Sequence, residues 1–228
     1  DTPEAVFYWN FKKGSAEIRK KLSSVKLIVL GINEFSVKLF SSLKDAGFTS
    51  CALLSEPGLD RQTNIPAPKG KQLAATENTI KAADCLIAIA SCNQRKTLQN
   101  WNTSCLNGKK HFFPILIDSL HAYMGPYVFP GSPACFYCAS QRFLSNIEPP
   151  ELAAMEQQFE QEPTLRYLCG HPPGMVEAVT SFACMEIINI FSGLTTSTPN
   201  KITDLCLVNQ QVSTSKIIKI PGCLCGVL

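Results

Sequence analysis

Apolar positions along the chain fall into short unbroken runs separated by segments with helical spacing. "VKLIVLG" (25–31) is continuously apolar and ends in glycine, as a strand buried on both faces of a parallel sheet requires. In the following "INEFSVKLFSSLKDAGF", Phe35, Leu39, Phe40 and Leu43 recur along one helix face, and Gly47 supplies a helix end. "TSCALLS" predicts a second strand. A loop rich in proline, glycine and polar residues, "PGLDRQTNIPAPKGKQ", leads to a helix through "TENTIKAA" and a buried strand, "DCLIAIAS". "QRKTLQNWNTSCLNG" predicts a helix ending at Gly108, and "KHFFPILID" the next strand. This alternation to about residue 118 predicts an α/β fold, a mainly parallel Rossmann-like sheet with helices on both faces.

Past that point the pattern changes. "HAYMGPYVFPG" predicts two short strands or one bent strand, broken by proline and glycine. "PELAAMEQQFEQ" is a helix with an acidic face, and "GMVEAVTSFACMEIINIFSG" a long apolar helix. "TDLCLVNQQVSTSKIIKI" alternates as a C-terminal antiparallel hairpin does.

The length of 228 residues and the 45% hydrophobic content suit one large domain with its own core. A net charge of +3, with basic residues clustered only in "KKGSAEIRKK", reads as a solvated helix face and not as a nucleic-acid footprint. No stretch is an uninterrupted apolar run of about 18 residues, so no membrane span is expected. Eleven cysteines, an odd number mostly inside apolar runs, fit a reducing, cytoplasmic compartment. Cys51, Cys85, Cys92, Cys105, Cys184 and Cys206 then read as small buried hydrophobes. The chain opens on Asp1 without a methionine, as a piece of a longer protein would.

A dinucleotide-binding turn needs glycines for the bend, for close approach of backbone to phosphate and for helix packing. In "GINEFS" only Gly31 remains, with Asn33 where phosphate would approach and Glu34 and Phe35 beside it. Glu56, after the second strand, could bond a ribose, but one acid without the glycines does not make the fingerprint. A sheet kept as a scaffold is the expectation.

Two cysteine pairs carry the strongest chemistry. Cys135 and Cys138 lie in "PGSPACFYC", and Cys223 and Cys225 in "PGCLCG", both in turns marked by proline and glycine. Four thiolates supplied as two close pairs are the ligand set of a structural zinc site. A redox-active CxxC, which should open a helix just after the first strand of its fold, and thiols that merely pack are the alternatives. Cys169 or His171, in "CGH", is a rival for one ligand position.

With the sheet, "MGPYVFPGSPACFYCASQR" and "PGCLCG" together, the chain resembles the ubiquitin-activating-enzyme-like (ThiF-like) proteins. It is most similar to the branch found with thiazole- and oxazole-containing peptides. The matching positions are Gly125, Pro126, Val128, Pro130, Gly131, Pro133, Cys135, Cys138 and Arg142, within a resemblance covering about residues 20–228. It implies Zn2+ on Cys135, Cys138, Cys223 and Cys225, a YcaO-type cyclodehydratase and a precursor leader peptide as partners, and a homodimer or hetero-oligomer.

Adenylating members carry a glycine-rich first turn and acids for magnesium. Here "LLSEP" and "IAIASCN" stand at the acidic positions, the latter offering Ser91, Cys92 and Asn93, while "LDRQ" keeps an arginine loop through Arg61 and Gln62. The expectation is therefore a non-catalytic subunit that uses no ATP. The alternative is an adenylating enzyme with Arg61 and Gln62 near ATP and Cys92, beside Arg95, as an acyl relay. Residues 1–24 read as an N-terminal segment following a peptide-binding domain, with Phe7, Tyr8 and Trp9 its trailing edge, a docking cluster or aromatics packed back on the domain. Residues 25–228 read as the ThiF-like domain with its zinc site.

Overall fold

The unbroken apolar runs form the strands they predict. The computed structural model describes residues 2–61, 77–118, 120–161, 170–195, 199–223 and 225. Four strands, β1 (Leu27–Leu30), β2 (Cys51–Leu54), β3 (Cys85–Ser91) and β4 (His111–Asp118), pair in parallel in the order β2-β1-β3-β4. Three more, β5 (His121–Met124), β6 (Lys201–Cys206) and β7 (Gln211–Lys216), extend the same sheet antiparallel. The expected hairpin is β6–β7. The sheet's antiparallel part is one strand larger, because "HAYM" forms β5 and bridges β4 to the hairpin. The rest of that segment bends back through Gly125, whose φ of +93° suits glycine, to a single bridge between Val128 and Phe112.

Alternate residues of each strand face opposite sides of the sheet, and each side has its own core. On one side, Leu27, Val29, Ile87, Ile89, Phe113 and Ile115 meet α2 (Ser15–Ser24), α3 (Glu34–Asp45) and α8 (Pro173–Ser192). On the other, Leu30, Leu86, Ala88 and Leu116 meet α5 (Arg95–Asn107) and α6 (Phe136–Ser145). The remaining helices are α1 (Pro3–Trp9), α4 (Glu77–Ala82) and α7 (Pro150–Gln161), and a 3-10 turn at Cys92–Gln94 precedes α5.

Two helices escape the sequence pattern. The short α1 is capped by Thr2 and places Tyr8 in the core with Ile18 and Leu22, while Phe7 and Trp9 stay exposed. Helix α6 begins inside the first cysteine pair. Cys135 is its N-cap and Cys138 lies in its first turn, so that pair does not sit wholly in a turn.

Among the described residues α8 is the one helix long and apolar enough to cross a membrane, by length and composition alone, although no uninterrupted apolar run marks it. Its apolar side lies against α3 and the sheet through Met175, Val179, Ala183 and Ile187, and Glu177 pairs with Lys38 of α3 at 2.8 Å. It is a core helix.

Candidate metal centre and the strand-end crevice

Folding brings both cysteine pairs to one place, on the α5–α6 side of the sheet. The four sulfur atoms lie within 4.8 Å of one another, with Cys135 to Cys223 at 3.8 Å and Cys138 to Cys225 at 3.6 Å. A disulfide needs about 2.05 Å. A tetrahedron with metal–sulfur bonds of about 2.3 Å has edges of about 3.8 Å, which the two shorter separations match.

The backbone arranges the site from two directions. Helix α6 presents Cys135 as its N-cap and Cys138 from its first turn. The second pair rides on a tight turn in which the Cys223 amide donates to the Ile220 carbonyl at 3.1 Å. The Ile220 amide donates across the gap to the Cys138 sulfur at 3.5 Å.

Burial pushes the Cys135 thiol up to about 11. For Cys138, burial acts upward, but hydrogen bonds from the backbone of Cys135 and Ile220 and from neighbouring thiols outweigh it, and its pKa is lowered. Burial, then its sulfur neighbours, raise Cys225. Three buried thiols and one half-buried one, crowded together with one favouring the anion, are a poor resting state alone. A divalent cation, by ionising all four, would resolve the crowding.

Other cysteines behave as packing residues. Burial raises Cys51 and Cys105 to about 12 and Cys184 to about 11, and carries Cys85 well above its ordinary value. Cys206 is also buried. The side chain of Cys92, and Cys169 and Gln62 altogether, lie outside the described residues.

His171 is not with the thiols. Its Nε2 meets the Glu34 carboxylate at 2.8 Å and its ring packs on Phe35, at the carboxyl ends of the parallel strands. There the chain leaves β1 and β3 for opposite flanks, the place where open α/β sheets bind ligands. Among the described residues this crevice is lined by Asn33, Glu34, Phe35, Arg61, Ile89, Ala90, Ser91, Ile117 and His171, and encloses about 140 Å³. Small-molecule sites usually measure roughly 300 to 1,000 Å³.

The groups that would face a phosphate are already engaged. Gly31 has a φ of +86°, and a β-carbon there would collide with Cβ of Leu59, so the close approach this glycine permits is made by a side chain of the loop after β2. The next amide, of Ile32, donates to the Asp60 carboxylate at 2.6 Å. Asp60 also accepts from the Glu56 amide at 3.1 Å and from the Ser55 hydroxyl at 2.5 Å. Asn33 Oδ1 caps α3 by accepting from the Ser36 amide, and its Nδ2 donates to the carbonyls of Leu59 and Ile89. The Ser91 amide donates to Gln94 at 2.9 Å.

Glu56 accepts from the Gly58 amide at 3.4 Å within its own turn. Arg61 lines the crevice and is pinned by its amide to the Ile32 carbonyl at 2.9 Å. Arg95 is buried at the start of α5.

The sequence matches no family model and no curated protein. Solved structures do match. The heterocyclase TruD aligns with 96% of this chain at a TM-score of 0.66 and 15% identity. MccB of E. coli aligns with 96% at 0.70 and 13%, and its ATP complex with 97% at 0.69 and 14%. The chain shares their fold. It spans 29% of TruD, under a third of its length, and 70% of MccB.

Sequence reasoning missed Asp60 and Asn102. Asp60 stands in "EPGLD", where a Pro-Gly turn ahead of an acid hints at a capping carboxylate. Asn102 shares a helix face with Leu98 and Cys105, which marks a polar group turned inward.

Proposed function

We propose that this chain is a non-catalytic, zinc-bearing subunit of a complex that forms azoline rings on Cys, Ser or Thr of a ribosomal precursor peptide. It partners a YcaO-type cyclodehydratase and presents the peptide leader, within the ThiF-like group. In this reading residues 25–228 are the platform, assembled as a homodimer or hetero-oligomer, and residues 1–24 follow a peptide-binding domain. Cys135, Cys138, Cys223 and Cys225 hold one structural Zn2+, which supplies a closed tetrahedral crosslink and no chemistry.

One observation carries the non-catalytic reading: Asp60 and Leu59 occupy the phosphate side of the first glycine turn. An adenylating site needs free amides there and carboxylates for magnesium, because the charge of a triphosphate and its transition state must be offset. The sole carboxylate among the described residues lining the crevice is Glu34, held by His171. The fold likeness to a heterocyclase supports the assignment to peptide ring formation.

A second reading, an ATP-dependent adenylating enzyme acting on a peptide or carrier-protein carboxylate, is favoured by Arg61 in the crevice and by the fold likeness to MccB with ATP. Calorimetric titration with ATP and magnesium separates the two. The scaffold reading expects no heat, with the YcaO-type protein and precursor co-purifying; saturable binding with pyrophosphate exchange overturns it. Elemental analysis should find about one zinc per chain, lost in Cys135→Ser and Cys223→Ser.

A further inference from the structure

We propose that Asn102 is a positioning residue for the four-thiolate centre, locking Cys135 in its ligating pose from a neighbouring helix. The proposal rests on the zinc reading above. Asn102 projects from α5 into the apolar core at 1% exposure, between Leu98 and Cys105. A buried amide among hydrophobic groups is costly unless its hydrogen bonds are made.

Its hydrogen bond goes to the metal knuckle. Asn102 Oδ1 accepts from the amide of Phe136, the first residue of α6, at 3.1 Å. The first amides of a helix have no partner within it, and an N-cap side chain normally supplies one. Here the N-cap is Cys135, whose sulfur points into the thiol cluster and makes no capping bond. Asn102 supplies the missing acceptor from a different element. Because Cys135 directly precedes Phe136, the amide that fixes the start of α6 also fixes the backbone of the ligand that caps it, as outer partners of metal ligands do.

A purely structural role, tying α5 to α6, has its own control. Gln99, one turn earlier on α5, donates to the Ser140 hydroxyl of α6 at 3.1 Å and touches no ligand. Zinc affinity of the full chain is measured by competition with a chromophoric chelator, and the cobalt-substituted protein by its sulfur-to-metal absorption. Asn102→Ala should weaken zinc about 10- to 100-fold and shift the cobalt bands, whereas Gln99→Ala should leave both unchanged. Asn102→Leu fills nearly the same space but offers the Phe136 amide no acceptor, so it should fold and still bind zinc more weakly. Unchanged affinity in the folded Asn102→Leu protein, or an equal loss in Gln99→Ala, overturns the proposal. A wild-type chain that takes up no zinc overturns the zinc reading itself, a result distinct from either.

Discussion

Asp60 satisfies two backbone amides, those of Ile32 and Glu56, that no other described side chain reaches. Asp60→Ala should therefore lower stability by about 1 to 3 kcal/mol in urea unfolding, the cost of leaving such donors unmade. Gly31→Ala should cost more, on the order of 2 to 5 kcal/mol, because it combines an unfavourable backbone region with a collision against Leu59. A third residue sets a pH dependence. His111 contacts the Tyr127 hydroxyl, and burial lowers its pKa, against which Asp84 acts only weakly. A depressed folded value means that the neutral ring's contribution is complete above the ordinary imidazole pKa and is lost as pH falls through the folded one. Thermal denaturation between pH 7 and 5 should show that loss, and His111→Gln, which keeps a partner for Tyr127, should flatten it.

At the scale of elements, α8 and α6 teach opposite lessons. The apolar face of α8 was legible because its spacing runs for twenty residues, and Ile187→Ala there should cost about 2 to 5 kcal/mol. Its C-terminus ends on Gly193, φ +65°, and receives Lys13 Nζ on the carbonyls of Ser192 and Gly193. Lys13→Met should lower the melting temperature slightly, by the equivalent of about 0.3 to 1 kcal/mol. Helix α6 was illegible as a helix because its flank, "PGSPAC", carries turn residues and its N-cap is a cysteine, not Ser, Thr, Asp or Asn. This also changes why the CxxC is not read as a redox pair. The pair does open a helix, as a redox motif would, and what sets it apart is a second pair within 4.8 Å.

For the whole molecule, the parallel strands were readable because burial on both faces leaves no polar interruption. The identity of the four sulfurs was readable from their spacing, yet their meeting depends on α6 and on a contact 88 residues apart in sequence. Asp60 and Leu59 were not readable as occupants of the crevice, since nothing local says that the loop after β2 folds back over the turn after β1. A metal on the thiols would close that long loop, and structural zinc in small peptides contributes on the order of 10 to 16 kcal/mol. A strong chelator should lower the melting temperature and expose the Cys223 and Cys225 turn to thiol reagents before the sheet unfolds.

The fold-back of Leu59 onto Gly31 bears on redesign. Grafting a glycine-rich sequence into positions 32–36 would leave the mouth plugged, since the stopper hangs from the neighbouring strand. On the scaffold reading proposed above, a route to a nucleotide-using descendant would first have to unfasten Ser55 through Arg61, at a cost in stability before any ligand is gained.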